Sequence, residues 1–391
     1  MAITAIVLTY LGAEASFSFV GLRYVPLRLH ADLPADIRVF AQSSKSGVLP
    51  RDPVLLLGDS YAQGYGDWLL EADPDRNGPF HSGHIIHKRS GRDVITLGQS
   101  GAGSAEAMAA LPAMAYARTK DAWYLRLPKP HVAIVYFYEG NDLNDDMAFL
   151  ERRVEKSDGG DLVDRIDRAI AAYPSALLVD TNSLPHFPLL RFSYQMARRI
   201  YAESIGTATQ ETEPNDAAGT ATPDQPNLVE VAGQMVKLPA NLQSPALELT
   251  LPEVERAVLV FERSLVFLGK LLPGTPVLVA YLPSPLSSYR LLGAEVSIQR
   301  YMTDRAAVYP KQRVAEYSDA ICRLIRAATI RQEGFFFDLR APIRSASLHE
   351  VLHGPRDFKH FNRKGMEALG NAVAEQVNRS PTQGACSQNP N

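Results

Sequence analysis

Cysteine is nearly absent: Cys322 and Cys386 are the only two in 391 residues, which excludes a disulfide scaffold and a four-cysteine zinc site. Neither sign of charge is in excess either. Lys and Arg number 40 against 43 Asp and Glu, a net charge of −3, and the missing basic surplus argues against a nucleic-acid groove. A long uninterrupted apolar run is also lacking. Residues 2–11 (AITAIVLTYL) carry no ionisable group except Tyr10, but crossing the hydrocarbon takes about 20 apolar residues. Extending the run that far would bring in Glu14. What remains is an ordinary globular balance, 46% hydrophobic and 21% charged, in a chain long enough for one large decorated domain or two modest ones.

The first 22 residues stand apart, with Glu14 their only charged side chain. They read as a secretory signal or a membrane anchor. The apolar core is 2–11, and Ala13-Glu14-Ala15 forms a small-x-small cleavage pattern before Ser16. The competing reading is a buried first strand or helix. Export would allow Cys322 and Cys386 to pair; a core thiol and a tail thiol is the equal alternative, since Cys322 lies in an apolar helical pattern and Cys386 in a polar tail.

Five short apolar runs end in Gly, Asp or Asn or at a Pro, with helical patterns between them, the rhythm of a parallel sheet. They are Val54–Leu57 before GDS, Val94–Leu97 before GQSGAG, Val132–Tyr138 before EGND, Val277–Leu282 before PSP, and Phe335–Phe337 before Asp338. Helices are expected over Ala105–Arg118 (interrupted by Pro112), Glu253–Leu272, Arg313–Ile330 and Asn362 to about Val377. This predicts a three-layer α/β/α, doubly wound domain whose crevice lies beyond the carboxyl ends of the strands. That domain is assigned residues 50–142 and 250–380. Residues 143–249 read as an insertion, a lid or substrate wall. Within it Asp161–Ala172 and Leu189–Tyr201 are short helices, and 203–227 is a mobile loop. The polar chain after Asn378, with 381–391 as its flexible end, is expected to fray.

Polar clusters close four of the core segments. Gly58-Asp59-Ser60 follows the first strand, Gly98-Gln99-Ser100-Gly101 the second and Glu139-Gly140-Asn141-Asp142 the third, while Asp357-Phe358-Lys359-His360 precedes the last helix. Alone, Ser60 could simply cap a helix. Together the clusters supply what acyl transfer needs. Ser60 is the nucleophile, His360 the base, and Asp357, three residues earlier, orients the imidazole. The backbone N–H groups of Ser60 and Gly101 and the amide of Asn141 would form the oxyanion hole, Gly101 being chosen because a residue without Cβ lets its amide approach closely. No metal or organic cofactor is called for.

Over residues 54–377 these motifs resemble the SGNH hydrolases, the GDSL esterase and lipase superfamily. The family's serine matches Ser60, its glycine Gly101, its asparagine Asn141 and its Asp-x-x-His pair Asp357 and His360. The resemblance implies a flavodoxin-like fold, the triad and the oxyanion hole. Two positions depart from the pattern. Tyr61 replaces the usual Leu, at a position that packs rather than reacts. Gly140 adjoins Asn141, with Glu139 where the glycine usually stands, which puts a carboxylate near an anion-stabilising site.

Other residues receive plainer readings. His81, His84 and His87 form an HxxHxxH string with poor spacing for zinc, and are read as surface or crevice-rim histidines. His349 and His353 lack an Asp three residues upstream and do not displace His360. Asp145 and Asp146 read as a solvated helix start. Tyr136, Phe137 and Tyr138 read as core. The expected function is an exported, periplasmic or membrane-anchored bacterial serine esterase that cleaves a small acyl or acetyl ester of a small molecule or carbohydrate. Residues 2–22 are its candidate membrane contact. The alternatives are an O-acetyltransferase acting on an extracytoplasmic polysaccharide with the same triad, and a non-catalytic carbohydrate-binding protein on the same fold.

Overall fold

The computed structural model describes residues 2–26, 29, 30, 33, 35–66, 81–120, 124–156, 159–177, 187–204, 226–301, 303, 305–379 and 382–387. Among them the strands are β1 (Val54–Leu57), β2 (Val94–Thr96), β3 (Val132–Tyr138), β4 (Asn227–Val231), β5 (Gln234–Leu238), β6 (Val277–Leu282), β7 (Arg290–Leu291), β8 (Glu295–Gln299), β9 (Ala306–Pro310) and β10 (Phe335–Asp338). The five apolar runs become one sheet in the order β10-β6-β3-β1-β2. Every pairing in it is parallel, Val54 lying between Val94 and Val132 and Tyr138 beside Leu282. Every residue of β1 and β3 is buried, as expected of strands covered on both faces.

Alternate residues feed the two faces. Leu55, Leu57, Val135, Phe137 and Tyr281 pack with Phe261 and Leu265 of the helix Leu251–Leu271 and with Ile321 and Ile325 of the helix Lys311–Arg331. Leu56, Ile134, Tyr136 and Ala280 pack on the other side with Met366, Leu369 and Val373 of the helix Arg363–Val377. The result is the predicted α/β/α sandwich. Its chain order reverses between β1 and β3, so a crevice opens beyond their carboxyl ends.

Helix boundaries follow local chemistry. Thr250 and Glu253 form a capping box that starts the helix Leu251–Leu271. Before Pro112 the chain makes a π-helical turn over Glu106–Ala110, then continues as an α-helix over Leu111–Thr119. A wider turn accommodates the proline ring, which would crowd a carbonyl one α-turn back. The two insertion helices lie at Leu162–Leu177 and Pro188–Ser204. The expected mobile loop falls mostly on 205–225, outside the described residues.

Two small sheets went unread in the sequence, β5-β4-β7 and β8-β9. The β4–β5 hairpin turns at Ala232 and Gly233, both at positive φ (52° and 72°). Such a turn is signalled by Asn-Gly or Asp-Gly, and alanine at its first position hides it.

Residues 382–387, within the segment expected to fray, are tied to the body. Cys386 is bonded to Cys322 in the core helix. Gly384 N donates to Phe336 O (2.8 Å), while Ser387 N and Oγ donate to Asp338 Oδ2 (2.6 and 2.7 Å). The crosslink closes a 64-residue separation. Replacing both cysteines by alanine should lower the unfolding free energy by roughly 2–4 kcal/mol. Dithiothreitol on the wild type should shift the denaturant midpoint equally, and no shift in either experiment would contradict the role assigned to the bridge.

Of the alternatives for the N-terminus, a buried first strand or a helix, the structure forms a helix. Residues Ala2–Phe19 form a helix with mean hydropathy 1.4, of which 11% is buried. It is long and apolar enough to cross a membrane by length and composition.

Candidate active site

At the end of β1, Asp59 caps the short helix Ser60–Gln63, its Oδ1 accepting from Tyr61 N (2.9 Å). The helix stops at Gly64 in the left-handed region. Ser60 is thereby held at a helix start at the mouth of the sheet. On the far side, Asn362 accepts from Lys364 N and Gly365 N and starts the last helix, while its amide holds Val351 O and Gly354 O. These bonds fix the turn that carries Asp357 and His360.

The two ends meet. His360 Nε2 lies 2.9 Å from Ser60 Oγ, and His360 Nδ1 lies 2.6 Å from Asp357 Oδ2. Asp357 Oδ1 also accepts from Lys359 N and His360 N (2.8 and 3.2 Å). Burial alone would raise the Asp357 carboxyl, but the His360 hydrogen bond and charge bring it below the ordinary carboxylate value. A carboxylate on Nδ1 fixes the tautomer with Nε2 as acceptor, facing the hydroxyl. The Ser60 hydroxyl has a second acceptor in reach, Asp59 Oδ2 at 3.1 Å. Burial raises the Asp59 pKa above its ordinary value.

The second and third motifs arrive beside it. Gln99 N donates to Gly58 O (3.3 Å) and Ser100 N to Gln63 Oε1 (2.6 Å). Gly98 is pressed on this elbow so closely that a Cβ would sit 2.3 Å from Gln63 N. Gly101 differs from the reason expected for it: a Cβ there would meet nothing within 4 Å, and glycine is favoured by a φ of +73°. Among the described residues, neither Ser60 N nor Gly101 N is engaged by another group. Asn141 Nδ2 donates to Asp145 Oδ2 (3.1 Å), which orients the amide and leaves its second N–H for a ligand.

Glu139 is turned away from this site. Fully buried, it accepts from Ser284 N and Oγ (2.9 and 3.1 Å), from Ser318 Oγ (2.7 Å) and from Tyr281 Oη. Its charge is thus spent beneath the corner instead of opposing an oxyanion.

Several plain readings need correction. Asp146 is fully buried and accepts from Ser104 N and Oγ (2.8 and 2.6 Å), and Asp145 accepts from Tyr301 Oη; neither is a solvated helix start. Burial raises Asp142 and Asp146 well above the ordinary carboxylate range and Asp145 to about 7. His81 is a buried helix cap, accepting from Gly83 N at Nδ1 (3.0 Å) and bonding Ala62 O through Nε2 (3.2 Å), not a rim residue. Burial lowers its pKa to about 3. His353 is buried against Tyr289 Oη (2.8 Å), and burial lowers its pKa to about 3, while His349 is exposed. Tyr61 does more than pack. Its Oη donates to Lys359 O (2.9 Å) and its ring lies 5.5 Å from His360, so it ties the serine elbow to the histidine turn. Tyr138 is core, yet its Oη donates to Gln243 Oε1 (2.6 Å), bringing the insertion to the edge of the site. Among the described residues, the one metal-like grouping is Cys322, Asp338 and Cys386, whose two sulfurs are spent in the disulfide.

Asp145 has a stability signature. Its folded pKa, about 7, lies above the ordinary value near 4 for an unfolded chain. Its contribution is fully present below about pH 4 and is lost as pH rises through about 7. The melting temperature should decline across that window, and Asp145→Asn should flatten the decline. An unchanged slope in the variant would remove Asp145 as its source.

No family model matches the chain, and no curated protein matches it. Among solved structures it is similar to an alpha/beta hydrolase enzyme from the metagenome of Lake Arreo, Spain, at 11% identity and a TM-score of 0.34, covering 85% of this chain and 98% of that one.

Proposed function

We propose that this protein is a serine hydrolase of the SGNH type that cleaves a small acyl ester through an acyl-Ser60 intermediate. The observation that carries the reading is the unbroken line from Asp357 through His360 to Ser60, with contacts of 2.6 and 2.9 Å. Ser60 Oγ attacks the ester carbonyl while Nε2 of His360 takes its proton. Asp357 keeps the proton on Nδ1 in place and stabilises the imidazolium. The N–H groups of Ser60 and Gly101 and the second N–H of Asn141 meet the developing oxyanion. His360 returns its proton to the leaving alcohol, and water, activated by the same imidazole, releases the acid. The Cys322–Cys386 bridge supports an oxidising compartment, hence an exported protein.

Hydrolysis of p-nitrophenyl acetate by the wild type and by Ser60→Ala tests the reading. Equal slow release from both would end it. Repeating the assay with oligosaccharide acceptors separates hydrolysis from transfer, because a transferase would yield acylated sugar with little free acetate.

A further inference from the structure

The helix Ala2–Phe19 exposes Ile3, Ile6, Val7, Leu8 and Leu11 to solvent. The part that stands clear of the body, residues 2–13, reaches about 18 Å at about 1.5 Å per residue, enough to enter one leaflet of a hydrocarbon layer roughly 30 Å thick. Its other end is built into the fold. Glu14, 5% exposed, accepts from Leu189 N and Leu190 N (2.8 and 3.2 Å), the first turn of the helix Pro188–Ser204, and from Tyr10 Oη (2.8 Å). Phe17 stacks on Phe192 at 5.8 Å, and Ser18 Oγ accepts from Tyr124 Oη (3.2 Å). Cleavage between Ala15 and Ser16 would carry away a carboxylate that satisfies two helix-start donors.

The ground at the foot of this helix is basic. The Phe19 ring lies 5.4 Å from Tyr124, in the stretch that carries Lys120, Arg126 and Lys129, all exposed around a cavity of about 280 Å³. Val20 and Tyr24 are exposed nearby, at 58% and 66%. We propose that the helix Ala2–Phe19 is a retained membrane element latched to the body through Glu14, and that the surface at its foot seats on anionic lipid headgroups through Lys120, Arg126 and Lys129. Charge selects the occupant. A second copy docked by two-fold symmetry would set three cations against three cations, whereas an anionic bilayer complements both the apolar helix and its basic foot. Glu14 is tolerated at that level because the helix start it caps offsets its charge.

The test uses the full chain with an environment-sensitive fluorophore at Ile6→Cys or Tyr24→Cys. It is reconstituted in phosphatidylcholine vesicles with or without phosphatidylglycerol and probed with brominated lipids. The label at position 6 should be quenched in both, and that at 24 only with phosphatidylglycerol. Charge reversals at Lys120, Arg126 and Lys129 should weaken the response at 24 by roughly fivefold each, leaving position 6 and hydrolysis of a soluble ester unchanged. Glu14→Ala should speed amide exchange at Leu189 and Leu190 about tenfold or more, with Glu14→Gln retaining part of the protection. A membrane-extracted protein whose mass begins at Ser16, a label at 6 that stays in water, or a label at 24 indifferent to phosphatidylglycerol would overturn the proposal. So would crosslinking between copies through the basic foot.

Discussion

Ser60→Ala is expected to lower kcat for p-nitrophenyl acetate by roughly 10⁴- to 10⁶-fold, or about 5–8 kcal/mol of transition-state stabilisation, with little change in KM. The size follows from the mechanism: without Oγ there is no covalent intermediate, and only the oxyanion donors and binding remain. His360→Ala should cost a similar factor, since the hydroxyl then lacks the base 2.9 Å away. The double variant should fall no further, because the two residues act as one unit. A fluorophosphonate should label the wild type once, at Ser60, and leave Ser60→Ala unmodified. Additive losses in the double variant, or labelling elsewhere with activity intact, would break the assignment. Both variants should unfold at nearly the wild-type denaturant concentration, separating lost chemistry from lost fold.

Arg340→Ala should be strongly destabilising, lowering the unfolding free energy by about 3–5 kcal/mol. The guanidinium is completely buried. It donates to Asp338 Oδ1 and Oδ2 (3.1 and 2.9 Å), Asp319 Oδ1 (2.6 Å), Ser318 Oγ (3.0 Å) and Ser387 O (2.9 Å), and lies over the Tyr281 ring at 5.3 Å. Ser318 Oγ in turn donates to Glu139 Oε2 (2.7 Å), so one network joins the disulfide-held C-terminal segment to the corner before Asn141. Removing the cation leaves Asp338 and Glu139 as buried acids without their counter-charge. Adding Glu139→Gln to Arg340→Ala should therefore recover part of the loss, about 1 kcal/mol, although Glu139→Gln alone destabilises. A denaturant midpoint within about 0.5 kcal/mol of wild type for Arg340→Ala would show the network to be dispensable.

Legibility in the sequence followed the range of the interaction. The parallel sheet could be read because its strands are covered on both faces, which forces continuous apolar runs such as VLLL and VAIVYFY. The site residues could be read because each lies at a strand end or a helix start, where local chemistry marks the position. Contacts between distant segments left no local mark. Asp145 and Asp146 look like a solvated helix start until Tyr301 and Ser104 are folded against them. Tyr61 looks like packing until its hydroxyl meets the backbone of Lys359, 298 residues away.

The sequence by itself determined the layer order of the sandwich, the serine elbow and the spacing of the Asp357–His360 pair, because strand burial, turns and i,i+3 pairs are dictated by neighbours along the chain. Only the tertiary structure decided where Glu139 spends its charge, that the two cysteines are joined, and that Glu14 meets the start of the helix Pro188–Ser204. Each depends on a partner more than 60 residues away, and what a buried charge or thiol does is set by what packs around it.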